Sequence, residues 1–241
     1  MKIALLLPTR ERMNLKMGFL MSALARCKDP NNFTVYLGID SDDPTLDRCK
    51  KLTSVISNLK VVEFEPMHEK TNIHKLWNIL AKESTEEIIS MVGDDMVFMT
   101  DNWDERIIQE FEKGPQMQLV YLNDDYNKDV LCVNAFVHRS YYKTTGYFLS
   151  EKFIRNWADQ WLYDVFKALD RLNYLADVKL VHNHWIYKKM EIDNVALNLI
   201  KREGPNKEFS DRMWDVTRAE RVAEINMWAE MLNITPDMAH V

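Results

Sequence analysis

Two adjacent carboxylates are the clearest candidates for chemistry in this sequence. Asp94 and Asp95 follow Gly93 at the end of an apolar segment, residues 87–92 (EIISMV). Neighbouring carboxylates repel each other, so the pair is costly unless the two side chains share a cation. Mg²⁺ and Mn²⁺ prefer oxygen ligands and can bridge to phosphate groups. The pair therefore indicates either a divalent-metal site or a solvated acidic turn.

Two histidines at the end of a later apolar segment could complete such a site. His182 and His184 are separated by Asn183, so in an extended chain both side chains point to the same face. A histidine beside two aspartates gives a mixed nitrogen and oxygen site of the kind that suits Mn²⁺. Taken alone, the segment is explained better by one surface histidine and one packed histidine.

A third candidate, Asp159, lies between Trp157 and Trp161 near the start of a predicted helix. Burial between indole rings would raise the pKa of the carboxyl and make it a better general base. An aspartate at a helix start is also favoured by the helix dipole, and locally this simpler explanation is preferred. Lys75 and Asn78 lie on another predicted helix, and by themselves they indicate only a solvated face.

The elements that must position these side chains alternate between strand and helix. Buried strands are predicted at residues 2–7, 33–39, 59–64 and 87–92, with helices between them at residues 15–25, 45–57 and 72–82. This alternation predicts a doubly wound α/β sheet. Ligands bind such sheets beyond the carboxyl ends of the strands, and polar clusters follow the predicted strands at residues 9–12, 40–43 and 94–95.

The second half of the chain is less regular. Strands are predicted at residues 119–122, 131–137 and 178–181, and helices at residues 156–172 and 211–232. No repeat or low-complexity linker divides the sequence. We therefore expect one nucleotide-binding and catalytic domain over residues 1–195, with a helical C-terminal extension over residues 196–241 packed on it.

Composition and charge argue against a disordered chain, a basic nucleic-acid-binding domain, a disulfide-rich protein and a membrane-spanning protein. The 241 residues are 46% hydrophobic and carry a net charge of −6, so a large core is expected and no basic nucleic-acid footprint is visible. The three cysteines are too sparse for a disulfide framework and predict reduced thiols in a cytoplasmic protein. The first apolar run is too short for a signal peptide, and no later run approaches the ~18 residues of a spanning helix.

Taken in order, these pieces resemble the family 2 type of glycosyltransferase with the GT-A fold. The resemblance covers roughly residues 2–195 and rests on motifs that are each weak but occur in a specific order. They are LLLPTRER, YLGIDSDDP with Asp40, HKLWN with Lys75 and Asn78, MVGDDMVF, DNWDERI, Gly146-Tyr147-Phe148, Ala158-Asp159 and KLVHNHW.

The resemblance implies roles for individual residues. Asp95 becomes the principal metal ligand and Asp94 a helper to ribose or metal, because the motif here is Gly-Asp-Asp rather than Asp-x-Asp. Asp159 becomes the base and acts alone, since Ala158 stands where many relatives have glutamate. His182 is preferred to His184 as the metal ligand from its place in the motif.

The resemblance also implies a donor, a cofactor and a reaction. The donor is a nucleoside-diphosphate sugar, with uridine the first expectation because Asp40 can accept a hydrogen bond from the uracil N3–H. Its base would lie against Pro8, Thr9 and Arg10, while Mn²⁺ or Mg²⁺ would hold the diphosphate. Arg10, Arg12 or Lys75 would add fixed positive charge, and transfer to an acceptor hydroxyl would invert the anomeric centre.

Several alternatives stay open from the sequence. The acceptor could be a glycan, a small molecule or a hydroxymethylated DNA base, in which case a basic patch would contact phosphates. That patch would be formed by Lys188, Lys189, Lys201, Arg202 and Lys207. A nucleotidyltransferase ranks lower because LLLPTRER has no glycine, and a non-catalytic nucleotide-sugar-binding module is the third alternative. The oligomeric state is not indicated.

Overall fold

Four parallel strands carry the candidate residues at their carboxyl ends. A computed structural model describes residues 1–66, 72–154, 156–184, 191–193, 197, 207–239 and 241. The four strands are β1 (Ile3–Thr9), β2 (Phe33–Asp40), β3 (Leu59–Phe64) and β4 (Ile88–Met91). They lie in the order β3-β2-β1-β4 and every pairing is parallel. Burial on both faces explains why β1, β2 and β4 are mainly apolar, whereas β3 at the edge of the sheet exposes Lys60 and Glu63.

Four further strands extend the sheet and make it mixed. They are β5 (Met96–Phe98), β6 (Leu119–Asn123), β7 (Phe136–His138) and β8 (Leu172–His182). The order continues β4-β7-β6-β8-β5. Strand β7 is antiparallel to both of its neighbours, β8 is parallel to β6, and β5 is antiparallel to β8. The predicted doubly wound mixed sheet is therefore confirmed.

Helices cover both faces of the sheet. They are α1 (Met13–Arg26), α2 (Leu46–Leu52), α3 (His74–Glu83), α4 (Trp103–Lys113), α5 (Arg139–Thr145), α6 (Ala158–Ala168), α7 (residues 207–216) and α8 (Arg218–Leu232). Leu5 of β1 belongs to the core formed with α1, α2 and α4, whereas Leu6 belongs to the core formed with α3, α5, α6 and α8. This alternation follows from the two-residue period of a strand.

The C-terminal helix packs into the second core. Ile225 and Trp228 of α8 are buried in the same cluster as Trp161 and Phe166 of α6. The predicted boundary between residues 195 and 196 lies outside the described residues, so the division into a domain and an extension stays a prediction.

Four elements of the second half differ from the sequence-based expectation. The predicted strand at residues 178–181 begins already at Leu172, and the predicted helix at residues 211–232 is divided at Thr217. The predicted strand at residues 131–137 is wrong over residues 131–135, which form an irregular segment with a turn. There the Asn134 side chain takes the place of a backbone ladder, accepting from Leu122 N at 2.8 Å and donating to Leu122 O at 3.2 Å. The predicted helix at residues 156–172 ends at Ala168, because Asp170 is left-handed (φ 53°) and the chain enters β8 at Leu172.

Two further observations concern the cysteines and the composition of the helices. Cys27, Cys49 and Cys132 are all unpaired. Among the described residues, no helix combines the length and the apolar composition that crossing a membrane requires.

Candidate functional site

The loop after β1 brings polar side chains to the carboxyl edge of the sheet. Glu11 and Arg12 adopt left-handed backbone conformations, with φ of 56° and 31°, which turn the chain sharply before α1. Thr9 at the end of β1 donates a hydrogen bond from Oγ1 to Asp94 Oδ2 at 2.6 Å. Side chains at the ends of β1 and β4 therefore meet at the carboxyl edge of the sheet.

Asp95 meets both histidines beside this loop. One ligand atom from each of Asp95, His182 and His184 can be chosen so that all three lie within 4.8 Å of one another. Asp95 Oδ1 lies 3.2 Å from His182 Nε2, and the Asn183 amide donates to Asp95 O at 2.8 Å. Antiparallel pairing of Met96 with His182 between β5 and β8 fixes this meeting. One carboxylate and two imidazoles are a donor set that fits Mn²⁺.

The electrostatics of the two aspartates favour a cation. Burial, and then the neighbouring charge of Asp95, raises the pKa of Asp94 to about 6, although hydrogen bonds from Thr9 and Arg12 oppose the shift. Burial also opposes ionisation of Asp95, but the hydrogen bond and charge of His182 outweigh it and lower the Asp95 pKa. A divalent ion beside the pair would relieve the repulsion between two buried carboxylates.

An ion pair that no sequence motif predicts joins this edge of the sheet to a later segment. Arg12 binds both carboxyl oxygens of Asp193, from Nε at 2.8 Å and Nη2 at 2.9 Å, and its Nη1 lies 3.4 Å from Asp94 Oδ1. The pair spans 181 positions of sequence, and no motif surrounds Asp193. The Arg12 guanidinium is thereby fixed beside the two aspartates.

Asp40 lies at the end of β2 under an arginine. Arg10 Nη1 donates to Asp40 Oδ2 at 2.6 Å and to Asp42 Oδ1 at 2.6 Å. Burial raises the pKa of Asp40 even though Arg10 opposes that shift. Pro8 lies on the neighbouring strand β1, where it pairs with Gly38 of β2. The predicted base-binding residues Pro8, Thr9, Arg10 and Asp40 therefore occur together, and a base that reached Asp40 would have to displace Arg10.

The two predicted residues of α3 differ in their surroundings. Lys75 is exposed in the first turn of the helix. Asn78 is buried, and its carbonyl oxygen accepts from the amides of Phe148 and Leu149 at 2.8 and 2.9 Å. Its amide group donates to Leu149 O and to Glu151 Oε1, both at 2.8 Å. The side chain thus holds the 148–151 loop, and its role towards a nucleotide sugar stays a prediction.

Replacing Asn78 with alanine is expected to destabilise the protein by about 3–5 kcal/mol. The change leaves two buried amides and a carbonyl without partners, and each such group costs about 1–3 kcal/mol. Urea unfolding followed by circular dichroism measures the loss. Asn14→Ala, an exposed position of α1, is the matched control and should change stability by less than about 0.5 kcal/mol. Equal effects of the two changes would contradict the assignment of Asn78 as the anchor of this loop.

Asp159 lies in the first turn of α6. Burial raises the pKa of its carboxyl, and a hydrogen bond from the Gln160 amide at 3.0 Å and the His182 charge oppose this only in part. A carboxyl whose pKa is raised by burial is a candidate for a general base.

A strained turn presents Asp159. Asn156 and Trp157, the two residues before α6, are left-handed with φ of 59° and 65°, a conformation that is unfavourable for a bulky side chain. Trp157 is held by a hydrogen bond from Nε1 to Asp211 Oδ1 at 2.7 Å and by stacking on Trp214 with ring centroids 4.8 Å apart. Residues of α7 therefore fix the turn that orients the candidate base.

The basic patch expected for a DNA acceptor lies mostly outside the described residues. Lys207 is described, and its Nζ pairs with Asp211 Oδ2 at 2.5 Å. Four members are among the undescribed residues: Lys188, Lys189, Lys201 and Arg202.

Comparison with known proteins relates the chain to others by structure alone. No protein-family model matches the sequence, and no curated protein matches it at a significant level. Solved structures do match. S. aureus TarS 1–349 in complex with UDP has a TM-score of 0.59 at 16% identity, over 75% of this chain and 59% of that one. The same TarS fragment in complex with UDP-GlcNAc has a TM-score of 0.59 at 15% identity, over 75% and 57%.

A mannosyltransferase covers more of the chain. PcManGT from Pyrobaculum calidifontis, in complex with GDP-Man and Mn²⁺, has a TM-score of 0.61 at 11% identity, over 95% of this chain and 80% of that one. The chain spans about three fifths of the length of the TarS fragment with UDP. The fold is therefore of the GT-A glycosyltransferase type, as the sequence motifs predicted.

Proposed function

We propose that this protein is a metal-dependent glycosyltransferase that moves a hexosyl or pentosyl group from a nucleoside-diphosphate sugar to an acceptor hydroxyl. The observation that carries the proposal is the meeting of Asp95, His182 and His184 at the edge of the sheet where Thr9, Arg12 and Asp94 also lie. Structural neighbours in complex with UDP, UDP-GlcNAc, or GDP-Man and Mn²⁺ support it.

Asp95, His182 and His184 would hold a Mn²⁺ or Mg²⁺ ion. A bound divalent ion supplies Lewis-acid stabilisation of the charge on a leaving diphosphate. Arg12, fixed by Asp193 beside Asp94, adds positive charge that needs no rearrangement during the reaction. Lys75, which is exposed, would add positive charge for the phosphates, and Asp94, to which Thr9 donates a hydrogen bond, would assist in binding the ribose or the metal.

Asp159 would accept the proton of the acceptor hydroxyl as that oxygen attacks the anomeric carbon. The new glycosidic bond forms while the bond from the anomeric carbon to the phosphate oxygen breaks, and its electron pair leaves with the nucleoside diphosphate. A single displacement of this kind inverts the anomeric centre. We propose inversion because Asp159 is assigned as a base for the acceptor hydroxyl and no side chain is assigned as a nucleophile for the anomeric carbon.

Asp40 would recognise the base, and uracil is the proposed one because its N3–H can donate to the carboxylate. Asp40→Ala is expected to weaken UDP binding by about tenfold or more, since a hydrogen bond to a charged group contributes about 1.5–3 kcal/mol. Calorimetric titration with UDP measures the change.

Asp42→Ala is the matched control for that titration. Asp42 also pairs with Arg10 at 2.6 Å, but its side chain is 50% exposed, so its removal is expected to leave the UDP affinity within about twofold. Equal losses in the two variants would assign the effect to Arg10 rather than to recognition of the base by Asp40.

A thermal-shift panel of nucleotide sugars with Mn²⁺, with Mg²⁺ and with EDTA tests the proposed function. A ligand at 100 times its dissociation constant stabilises the fold by about 2.7 kcal/mol, which corresponds to roughly 5–10 °C for a chain of this size. We expect such a rise for at least one nucleotide sugar with metal and little or none with EDTA. Absence of metal-dependent stabilisation by every UDP- and GDP-sugar would reject the proposal.

For the cellular location we propose only a compartment, and for the acceptor we propose only a class of molecule. The three unpaired cysteines favour a reducing compartment, and we propose the cytoplasm. A hydroxymethylated DNA base stays the alternative acceptor to a glycan or a small molecule.

A further inference from the structure

A cavity outside the metal cluster lies between the chain that follows α5 and one face of α8. Its volume is about 630 Å³, within the range of sites that take small ligands. Thr145, Tyr147, Ser150, Trp161, Glu220 and Glu224 line it. We call it the α5–α8 cavity. Trp161 lies two residues beyond Asp159 on α6, so the cavity shares a helix with the candidate base.

A hydroxyl in the wall of the cavity is available to a ligand. Ser150 is 4% exposed as a residue and lines the cavity, and its hydroxyl is not among the buried side-chain atoms that lack a partner in the described part of the chain. The hydroxyl therefore faces the open space of the cavity and can donate and accept hydrogen bonds there. A ligand with hydroxyl or amino groups would form such a hydrogen bond.

A buried carboxylate in the wall of the cavity accepts several hydrogen bonds. Glu224 is buried and receives the hydroxyl of Tyr141 at 2.6 Å, the indole of Trp161 at 2.8 Å and the hydroxyl of Tyr147. These hydrogen bonds fix the Glu224 side chain. They also hold Tyr147 and Trp161, the two aromatic residues that line the cavity. Carboxylates accept hydrogen bonds from sugar hydroxyls, and aromatic faces pack against the C–H faces of sugars.

The charge of the cavity selects against phosphate. Three glutamates line it against one lysine: Glu151, Glu220, Glu224 and Lys152. Lys152 is already paired with Glu220 at 2.9 Å. The surplus of negative charge repels polyanions and tolerates neutral or amino-bearing ligands.

We propose that the α5–α8 cavity binds a neutral or amino-bearing saccharide, namely the part of a glycan acceptor that does not react. The proposal rests on the proposed glycosyltransferase function and names its acceptor class. The glutamates repel the phosphates of a nucleic acid. Binding of a nucleic acid in the cavity would therefore contradict the proposal.

The test follows the indole N–H signal of Trp161 by NMR, assigned with Trp161→Phe, in protein without metal or donor. The probes are maltose, N,N′-diacetylchitobiose, the glucosamine disaccharide and a short single-stranded oligodeoxynucleotide. At least one saccharide should shift the signal saturably below about 20 mM, and the oligonucleotide should not.

Ala223→Phe places a ring at the cavity from an exposed position of α8, and Ala219→Phe makes the same change one turn earlier, outside the lining. Ala223→Phe should weaken saccharide binding by about tenfold or more, and Ala219→Phe should leave it unchanged. No shift with any saccharide, equal effects of the two variants, or oligonucleotide binding that Ala223→Phe removes would overturn the proposal.

Failure of this proposal and failure of the proposed function give different results. If donor binding stays metal-dependent while no saccharide binds, only the cavity assignment is rejected. If saccharides bind while no nucleotide sugar does, the glycosyltransferase function is rejected, and the cavity remains a saccharide site without a role in binding an acceptor.

Discussion

Replacing Asp159 with asparagine is expected to lower the rate of glycosyl transfer by about 10³-fold, within the range for loss of a general base. Asparagine has the same shape but cannot take the proton of the acceptor hydroxyl. Donor affinity should stay within about twofold, because Asp159 is assigned to the acceptor side. Product formation under saturating donor measures the rate, and calorimetry measures the affinity.

Asp170→Asn is the control for this change. Asp170 is exposed just after α6 and already left-handed, a conformation that asparagine adopts readily. The control should transfer sugar at the wild-type rate. The wild-type rate should also rise with pH as the Asp159 carboxyl, whose pKa is raised by burial, loses its proton. Turnover by Asp159→Asn within about tenfold of wild type would remove Asp159 from the role of base.

Asp95→Ala is expected to abolish the gain in donor affinity that Mn²⁺ provides. The change removes the only carboxylate of the three-residue ligand set, which leaves two imidazoles that bind a divalent ion too weakly to neutralise a diphosphate. Donor binding should fall by about 10²-fold in the presence of Mn²⁺ and stay unchanged with EDTA. Calorimetric titration in both buffers measures the difference.

Asp101→Ala is the matched control for the metal site. Asp101 is 73% exposed and pairs with Arg26 at 2.8 Å, so its loss should affect neither stability nor Mn²⁺ dependence. A variant Asp95→Ala that keeps the full Mn²⁺-dependent gain would place the cation elsewhere.

The first half of the fold follows directly from the sequence because its signals are local. Strands β1 to β4 are mainly apolar runs separated by amphipathic helices, and parallel order is the usual result of that alternation. The irregular second half depends on contacts between distant residues. The irregular course of residues 131–135 is set by Asn134 bonding to Leu122, and the apolar composition of that segment resembles that of a strand.

The residues of the candidate site likewise fall into those with a local sequence signal and those placed by contacts between distant segments. The aspartates at the ends of β2 and β4 could be predicted, since each follows a recognisable strand. The choice between His182 and His184 could not be made on physical grounds, because pairing of β5 with β8 brings both near Asp95. The bond of Arg12 to Asp193 and the packing of Trp157 on Trp214 join segments far apart in sequence, and no spacing rule predicts them.

We propose that a cation held by Asp95, His182 and His184 binds the diphosphate of the donor. The most direct test titrates the protein with the nucleoside diphosphate of the best-stabilising donor, and with the corresponding nucleoside, each with Mn²⁺ and with EDTA. We expect Mn²⁺ to raise the affinity for the diphosphate by about tenfold or more and to leave the affinity for the nucleoside unchanged. Equal affinity for the diphosphate in Mn²⁺ and in EDTA would show that no metal ion takes part in binding the diphosphate.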